Sequence, residues 1–359
     1  MVGTRPEAIK LAPVAHALAG LGAPPRLVLT GQHPKLDPAE FGLADFPAER
    51  LECPGETDPH RHVRAVTTAL LPRLATPPDL LVVQGDNSSA LGGALAAFTT
   101  DVAVAHVEAG LRTHDPRLPW PEEEYRTAID AAADLLFAPT RTAEANLLAE
   151  NVPGEIHVTG NTSIDAVLAA EADLPPVPPR GDRPLILVTC HRRESWGEGL
   201  ESIAAALRGL SSTAAIEFVL HPNPHVRGEM RRLLGGRSGI RLLEPCSHRM
   251  LLQRMRGADL VLSDSGGIQE EAPALGVPLL VLREKTERPE GVEAGNARLV
   301  GTSTERIVSE ARALLANPSA VAAMRRRSFP YGDGRAGERI AALILSRLEQ
   351  GCTRLRSAS

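Results

Sequence analysis

Along the chain, short and nearly continuous apolar runs alternate with longer segments whose apolar positions recur every three to four residues. The first kind predicts buried strands, the second amphipathic helices. In the first half, strands are expected at 26–29, 80–83, 102–107, 135–138 and 156–159, and helices at 6–18, 62–74, 88–98, 121–133 and 142–150. Pro6 opens the first helix at a position proline tolerates, whereas Pro13 is expected to bend that helix or end it early. Residues 34–58 carry no regular pattern. In the second half, strands are expected at 185–189, 217–220, 240–243, 258–262 and 278–282. Helices are expected there at 200–210, 225–234, 248–256, 270–275, 303–315, 319–326 and 336–349. Apolar strands alternating with helices predict an α/β protein with parallel sheets covered on both faces.

The alternation breaks at 174–184, LPPVPPRGDRP, which holds five prolines in eleven residues and reads as a stiff, extended linker. A chain of 359 residues exceeds one usual core. The expected organisation is a Rossmann-like domain over 1–173, the linker 174–184, a second Rossmann-like domain over 185–330, and a C-terminal helix over 331–359 that crosses back to the first domain. Two doubly wound domains would face each other across a cleft, with ligands beyond the carboxyl ends of the strands.

The net charge of −5 is too mild to suggest nucleic acid or an anionic membrane as partner. No apolar run approaches the roughly 20 residues of a membrane span, and the N-terminus has no signal-like segment, so a cytoplasmic protein is expected. Cys53, Cys190, Cys246 and Cys352 are far apart and form no CxxC pair, which predicts reduced thiols. His60 and His62 lack an evident third ligand, and Pro222 and Pro224 argue against one helix presenting His221 and His225 together. No metal is expected. With no glycine-rich nicotinamide fingerprint, no cofactor is expected either.

The strand ends carry the candidate chemistry. Ser263-Asp264-Ser265-Gly266-Gly267-Ile268-Gln269-Glu270-Glu271 runs from a strand through a small-residue turn into a helix. Free backbone N–H groups and the helix dipole make such a turn an anion site, and a carboxylate just inside can accept two hydrogen bonds from a vicinal diol. A nucleoside diphosphate fits both features; an ordinary capped helix fits the same letters. In the first half, Asp86, Glu108 and Glu122 follow consecutive elements on one edge. In the second half, His191-Arg192-Arg193-Glu194 and His221-Pro222-Asn223-Pro224 stand at equivalent ends. Carboxylates on one wall and cations on the other suit proton transfer on a sugar beside a diphosphate leaving group.

These residues also carry a family resemblance. Gly3-Thr4-Arg5-Pro6-Glu7-Ala8-Ile9-Lys10, Gln84-Gly85-Asp86, His106-Val107-Glu108-Ala109-Gly110-Leu111-Arg112-Thr113 and Pro119-Trp120-Pro121-Glu122-Glu123 resemble motifs of the non-hydrolysing UDP-N-acetylglucosamine 2-epimerases. So do Gly160-Asn161-Thr162, His191-Arg192-Arg193-Glu194, the 263–271 stretch, Thr286-Glu287-Arg288-Pro289-Glu290 and Pro330-Tyr331-Gly332-Asp333-Gly334. The resemblance implies a glycosyltransferase-B-like pair of Rossmann domains and a homodimer. It implies interconversion of UDP-N-acetylglucosamine and UDP-N-acetylmannosamine through a glycal, feeding bacterial surface polysaccharide synthesis. It assigns catalysis to Asp86, Glu108, Glu122 and His191, and the UDP-sugar to Arg5, Lys10, His221, Asn223, Ser265, Gly266, Gly267, Glu271 and Arg288. Gln32, His33 and Arg64 match positions where many bacterial members bind a second nucleotide sugar as activator, although residues 34–58 diverge.

There are departures. Tyr125 stands where the family usually has Asn, and Cys190 where it usually has Gly. The family also has an apolar strand before its Gly-Thr-Arg-Pro-Glu motif, and only Met1 and Val2 precede it here. That strand is central in a doubly wound sheet, so the sequence is expected to be truncated at its N-terminus. Two other activities stay compatible with the residues: a hydrolysing 2-epimerase releasing UDP and N-acetylmannosamine, and a non-catalytic nucleotide-sugar-binding regulator.

Overall fold

The computed structural model of the protein describes residues 1–177, 181–190, 192 and 196–357, with side chains through residue 350. Contacts divide the chain into two units, Met1–Ala166 together with the chain from Tyr331 onward, and Val167–Pro330. The boundary falls at 166/167, inside a helix, and not at the proline-rich stretch 174–184.

The first unit contains α1 (Arg5–Gly20), β1 (Leu27–Leu29), β2 (Ala48–Arg50), α2 (Pro59–Leu70), β3 (Leu81–Gln84), α3 (Ser88–Thr99), β4 (Val104–Val107), α4 (Glu122–Ala132), β5 (Leu135–Ala138), α5 (Arg141–Ala149), β6 (Glu155–Val158) and the start of α6 (Thr162–Glu171). β3, β4, β5 and β6 form a parallel sheet in that order, and β1 pairs with β2, also in parallel. β2 lies inside the stretch expected to be irregular. Its residues Ala48, Glu49 and Arg50 offer no apolar run to announce a strand. α6 was equally absent from the sequence expectation.

Among the described residues, Met1 and Val2 lie between β1 and β3. Val2 bridges Leu29 in parallel, its N–H donates to Val28 O at 2.8 Å, and its carbonyl accepts from Thr30 N at 2.9 Å. The Met1 ammonium donates to Val82 O at 2.7 Å. Alongside lies a cavity of about 610 Å³ lined by Val14, Leu18, Leu27, Leu80, Val82 and Ile344, among others. These two residues occupy one end of a strand position, and the cavity continues along it.

The second unit contains β7 (Leu185–Thr189), α7 (Glu198–Leu210), β8 (Ala215–Val219), α8 (Pro224–Leu234), β9 (Ile240–Leu243), α9 (His248–Gly257), β10 (Leu260–Ser263), α10 (Gly266–Leu275), β11 (Leu279–Val281), α11 (Glu290–Glu293), β12 (Ala297–Leu299), α12 (Thr304–Leu315) and α13 (Pro318–Met324). Its sheet is wholly parallel, in the order β9-β8-β7-β10-β11-β12. The order reverses between β7 and β10, so the loops after those strands flank the crevice where doubly wound sheets hold ligands. β12, three residues long, was not expected from sequence.

The chain then returns to the first unit as α14 (Ala336–Ser357). Ile340, Ala341 and Ile344 of α14 join a core with Leu11, Val14 and Ala15 of α1. Of the two outcomes expected at Pro13, a bend or an early end, the early end does not occur: α1 continues through Pro13 to Gly20. Gly337 rests on that proline, where an added Cβ would lie 2.8 Å from the Pro13 carbonyl carbon. Burial against α14 offsets the hydrogen bond that proline removes. No helix among the described residues is long and apolar enough to cross a membrane.

Candidate active site

Two of the three candidate carboxylates stand just beyond neighbouring strands. Asp86 follows β3 and Glu108 follows β4, and Gly85 N donates to Val107 O at 3.1 Å where the two strands end. Glu108 adopts a φ of 72°, a left-handed conformation that costs a side-chain-bearing residue roughly 1–3 kcal/mol. Several contacts hold it there. Glu108 N and Ala109 N both donate to Phe137 O at 3.1 Å. The carboxylate is ion-paired to Lys10 of α1 and accepts from Asn161 Nδ2 at 3.0 Å. Asn161 N in turn donates to Tyr331 O at 2.7 Å, which ties Glu108 to the start of the C-terminal segment.

Helix α4 organises the rest. Glu122, its first residue, and Arg126 are one turn apart on one face. Arg126 reaches Asp86 with Nε at 3.1 Å and through a second guanidinium nitrogen, and reaches Glu123 with NH1 at 2.7 Å. Glu123 accepts from Thr113 N at 2.9 Å and His114 N at 2.8 Å, so it pins the far end of the Glu108 loop. One more turn along α4, Asp130 accepts from Gly110 N at 3.1 Å. Gly110 has φ 83°, and a Cβ there would lie 2.3 Å from Ala143 O, so glycine is required. The structure thus brings Asp86 and the start of α4, with Glu122, to one end of the sheet.

In the second unit, the turn after β10 has the form expected of an anion site. Ser265 is the N-cap of α10, and Ser265 and Gly267 are partly exposed at its start. A Cβ at Gly266 would lie 2.8 Å from the Arg288 guanidinium, which would have to shift to admit it. Arg288 is buried, donating from Nε to Glu270 Oε1 at 2.6 Å and pairing with Glu287. Its guanidinium thus braces the turn. Glu271 is buried and meets His248 Nε2 of α9 at 2.7 Å. Across the switch point, Asp264 accepts from Cys190 Sγ at 3.2 Å and from Arg192 N at 2.8 Å. The thiol that replaces the usual glycine is therefore one of the ties between the two loops. His191 itself lies outside the described residues.

The remaining candidates are more scattered. Arg5 begins α1, and Lys10 on the same helix is committed to Glu108. Asn223 caps α8, its Oδ1 accepting from His225 N at 2.9 Å, and His221 Nδ1 accepts from Asn223 N at 3.2 Å. Gln32 accepts from Ser89 Oγ at 2.6 Å, His33 N donates to Gly3 O at 3.0 Å, and Arg64 is exposed on α2. Tyr125 is buried, with its hydroxyl 3.3 Å from His60 Nδ1. Among the described residues no group of three or more His, Cys, Asp or Glu side chains is placed to hold a metal ion.

Asn161, Glu123 and His106 fell within the sequence motifs but were given no role there, and Arg126, Asp130 and His248 were not singled out as supporting residues. A buried ion pair spaced three residues apart, such as Glu123 and Arg126, leaves only its periodicity in a sequence, and an exposed helical pair has the same spacing.

The family model described as UDP-N-acetylglucosamine 2-epimerase matches residues 17–345. The UDP-N-acetylglucosamine 2-epimerase of Escherichia coli (strain K12) is 43% identical, over 94% of this chain and 95% of its own. The crystal structure of UDP-GlcNAc 2-epimerase from Neisseria meningitidis bound to UDP-GlcNAc superposes with a TM-score of 0.90 at 36% identity, covering 96% of this chain and 98% of that one. The Methanocaldococcus jannaschii enzyme in complex with UDP-GlcNAc and UDP gives a TM-score of 0.85 at 33% identity, with coverage of 96% and 98%. With its two Rossmann-like units and its match along nearly the whole sequence, the chain belongs to the UDP-N-acetylglucosamine 2-epimerase family.

Proposed function

We propose that the protein interconverts UDP-N-acetylglucosamine and UDP-N-acetylmannosamine without releasing free sugar. The observation that carries this reading is Glu108, a buried carboxylate held in a strained backbone by Lys10 and Asn161, just beyond the strand that pairs with the one Asp86 follows. Strain maintained by this many contacts is found where a side chain must be aimed.

C2 of the pyranose has no neighbouring carbonyl, so its proton cannot be removed by simple enolisation. In the proposed reaction a carboxylate takes that proton, the electron pair forms the C1–C2 double bond, and the C1–O bond to UDP breaks. UDP leaves with the electrons of that bond. In the return step a diphosphate oxygen attacks C1, and a second acid delivers a proton to the opposite face of C2. Asp86, Glu108 and Glu122 are the groups assigned to proton transfer. The α10 start, Ser265 to Gly267, takes the diphosphate, and Glu271, held by His248, takes the ribose diol. His191, assigned from the family motif, would assist the departing diphosphate. Arg5, His221 and Asn223 are further assigned to the UDP-sugar; Lys10 and Arg288 serve it through Glu108 and through the α10 turn. No metal or redox cofactor enters any step.

The reaction is assigned to the cytoplasm, which suits the reduced thiols of Cys53, Cys190 and Cys246. A homodimer is the assembly assigned to it, with exposed Leu95 and Phe98 of α3 as a surface for the partner. To test the chemistry, Glu108→Gln and Glu122→Gln are compared with the parent protein. Each should lower turnover about a hundredfold or more with little change in UDP-sugar binding. Near-normal turnover in both would remove the carboxylates from the mechanism.

A further inference from the structure

Behind the candidate carboxylates lies a buried group of charges that takes no part in the proposed proton transfers. His106, on β4, is fully buried, with Nδ1 2.6 Å from Asp130 Oδ1 and Nε2 2.9 Å from Gly85 O. A carboxylate and a carbonyl are both acceptors, so each ring nitrogen faces an acceptor, and a ring donating to both would carry two protons. The other oxygen of Asp130 accepts from Gly110 N at 3.1 Å and from Arg112 NH2 at 2.8 Å. Arg112 in turn forks onto Glu150, with Nε at 2.7 Å and NH2 at 2.6 Å. The buried carboxylate of Asp130 thus meets the Arg112 guanidinium and the His106 ring, the kind of pairing a buried charge requires.

The ends of this network matter for the reaction. Gly85 immediately precedes Asp86, and Gly110 follows Glu108 by two residues. One carboxylate therefore grips both loops, Asp86's through the His106 ring and Glu108's directly. We propose that Asp130 is a positioning residue which, through His106 and Gly110, sets the relative placement of Asp86 and Glu108. This inference rests on the reading of those two residues as catalytic. The loops have little room to absorb an error: Gly110 is packed to 2.3 Å of Ala143 O at its would-be Cβ, and Glu108 is in a left-handed conformation. A displacement of about 1 Å at reacting groups can cost about a hundredfold in rate. Asparagine at 130 keeps one acceptor oxygen and loses the other, so one loop is released. His106→Gln is the second variant; glutamine cannot span both acceptors in the plane of an imidazole.

The test combines kinetics with two readouts that do not depend on turnover. Asp130→Asn and His106→Gln should each lower kcat about a hundredfold. KM and UDP affinity should stay within about threefold, because the α10 turn and Glu271 are untouched. Asp130→Glu should recover part of the loss. Nitrogen-15 NMR of the histidine rings should find His106 with both nitrogens protonated in the parent protein and with one in Asp130→Asn. Crystal structures of the variants should find the Asp86 or Glu108 carboxylate displaced. The inference is overturned by unchanged kcat, by KM rising in step with the loss of kcat, by a singly protonated His106 ring in the parent, or by carboxylates that do not move. If the parent protein itself fails to turn over the nucleotide sugar, the functional reading falls, while the ring spectrum and carboxylate positions still decide the role of Asp130.

Discussion

Glu123 tests most sharply how the candidate site is held together. It is 5% exposed and its two oxygens serve three donors: Thr113 N at 2.9 Å, His114 N at 2.8 Å and Arg126 NH1 at 2.7 Å. Replacement by alanine leaves two backbone N–H groups and a guanidinium nitrogen without that carboxylate. A hydrogen bond to a charged group contributes about 1.5–3 kcal/mol, and removing one partner of a buried ion pair costs about 3–5 kcal/mol. The three contacts share one carboxylate, so their losses overlap, and the expected loss is about 3–5 kcal/mol from the first unit. Because a chain of two units need not unfold in a single transition, the assay is urea denaturation followed by hydrogen exchange resolved to peptides. Exchange at 108–114 should accelerate together with a first-unit transition at lower urea, while the sheet of the second unit is unaffected. Glu123→Gln keeps one acceptor oxygen and should lose about half as much. A loss under about 1 kcal/mol with unchanged exchange at 108–114 would refute the claim that Glu123 anchors this loop.

Asp130 should give the protein an acid-sensitive component. Burial alone would push its carboxyl up, but His106 and Arg112 hold it below the ordinary carboxylate value. A carboxyl with a lower pKa folded than unfolded contributes stability that is complete above about pH 4 and is lost as the pH falls through the folded value. The stability gap between the parent protein and Asp130→Asn, measured by denaturation between about pH 6 and pH 2, should therefore narrow toward the acid end; a constant gap would contradict this. The cavity beside Met1 and Val2 makes a separate prediction. Fusing about five Val and Ile residues to Met1 should fill it as a strand between β1 and β3, raising stability by roughly 2–5 kcal/mol after the cost of ordering the added backbone. An unchanged melting temperature would mean that the space does not accept a strand.

The larger features were legible in the sequence because they rest on local, repetitive signals. Continuous apolar runs such as Leu185–Thr189 and Leu135–Ala138 give strands with the expected bounds, since buried parallel strands leave an unmixed apolar signature. The turn at Ser265 was legible because small residues between a strand and a helix have few other uses. β2 and β12 were not, because three-residue strands with polar or mixed side chains are specified by the neighbour they pair with. That α1 would not end at Pro13 was not legible, because its packing partner α14 is more than 300 residues away in sequence. The same limit hid the supporting residues of the site. Asn161 meets Glu108, and His106 meets Asp130, only once the strands are aligned.

The central claim is that proton exchange at C2 proceeds with cleavage and re-formation of the bond to UDP. It is tested most directly by proton and carbon NMR of UDP-N-acetylglucosamine incubated with the protein in deuterated water. The account predicts deuterium at C2 in both UDP-N-acetylglucosamine and UDP-N-acetylmannosamine, with the sugar still joined to UDP at equilibrium. Accumulation of UDP with free N-acetylmannosamine, or a nucleotide sugar that keeps its C2 proton throughout, would contradict it.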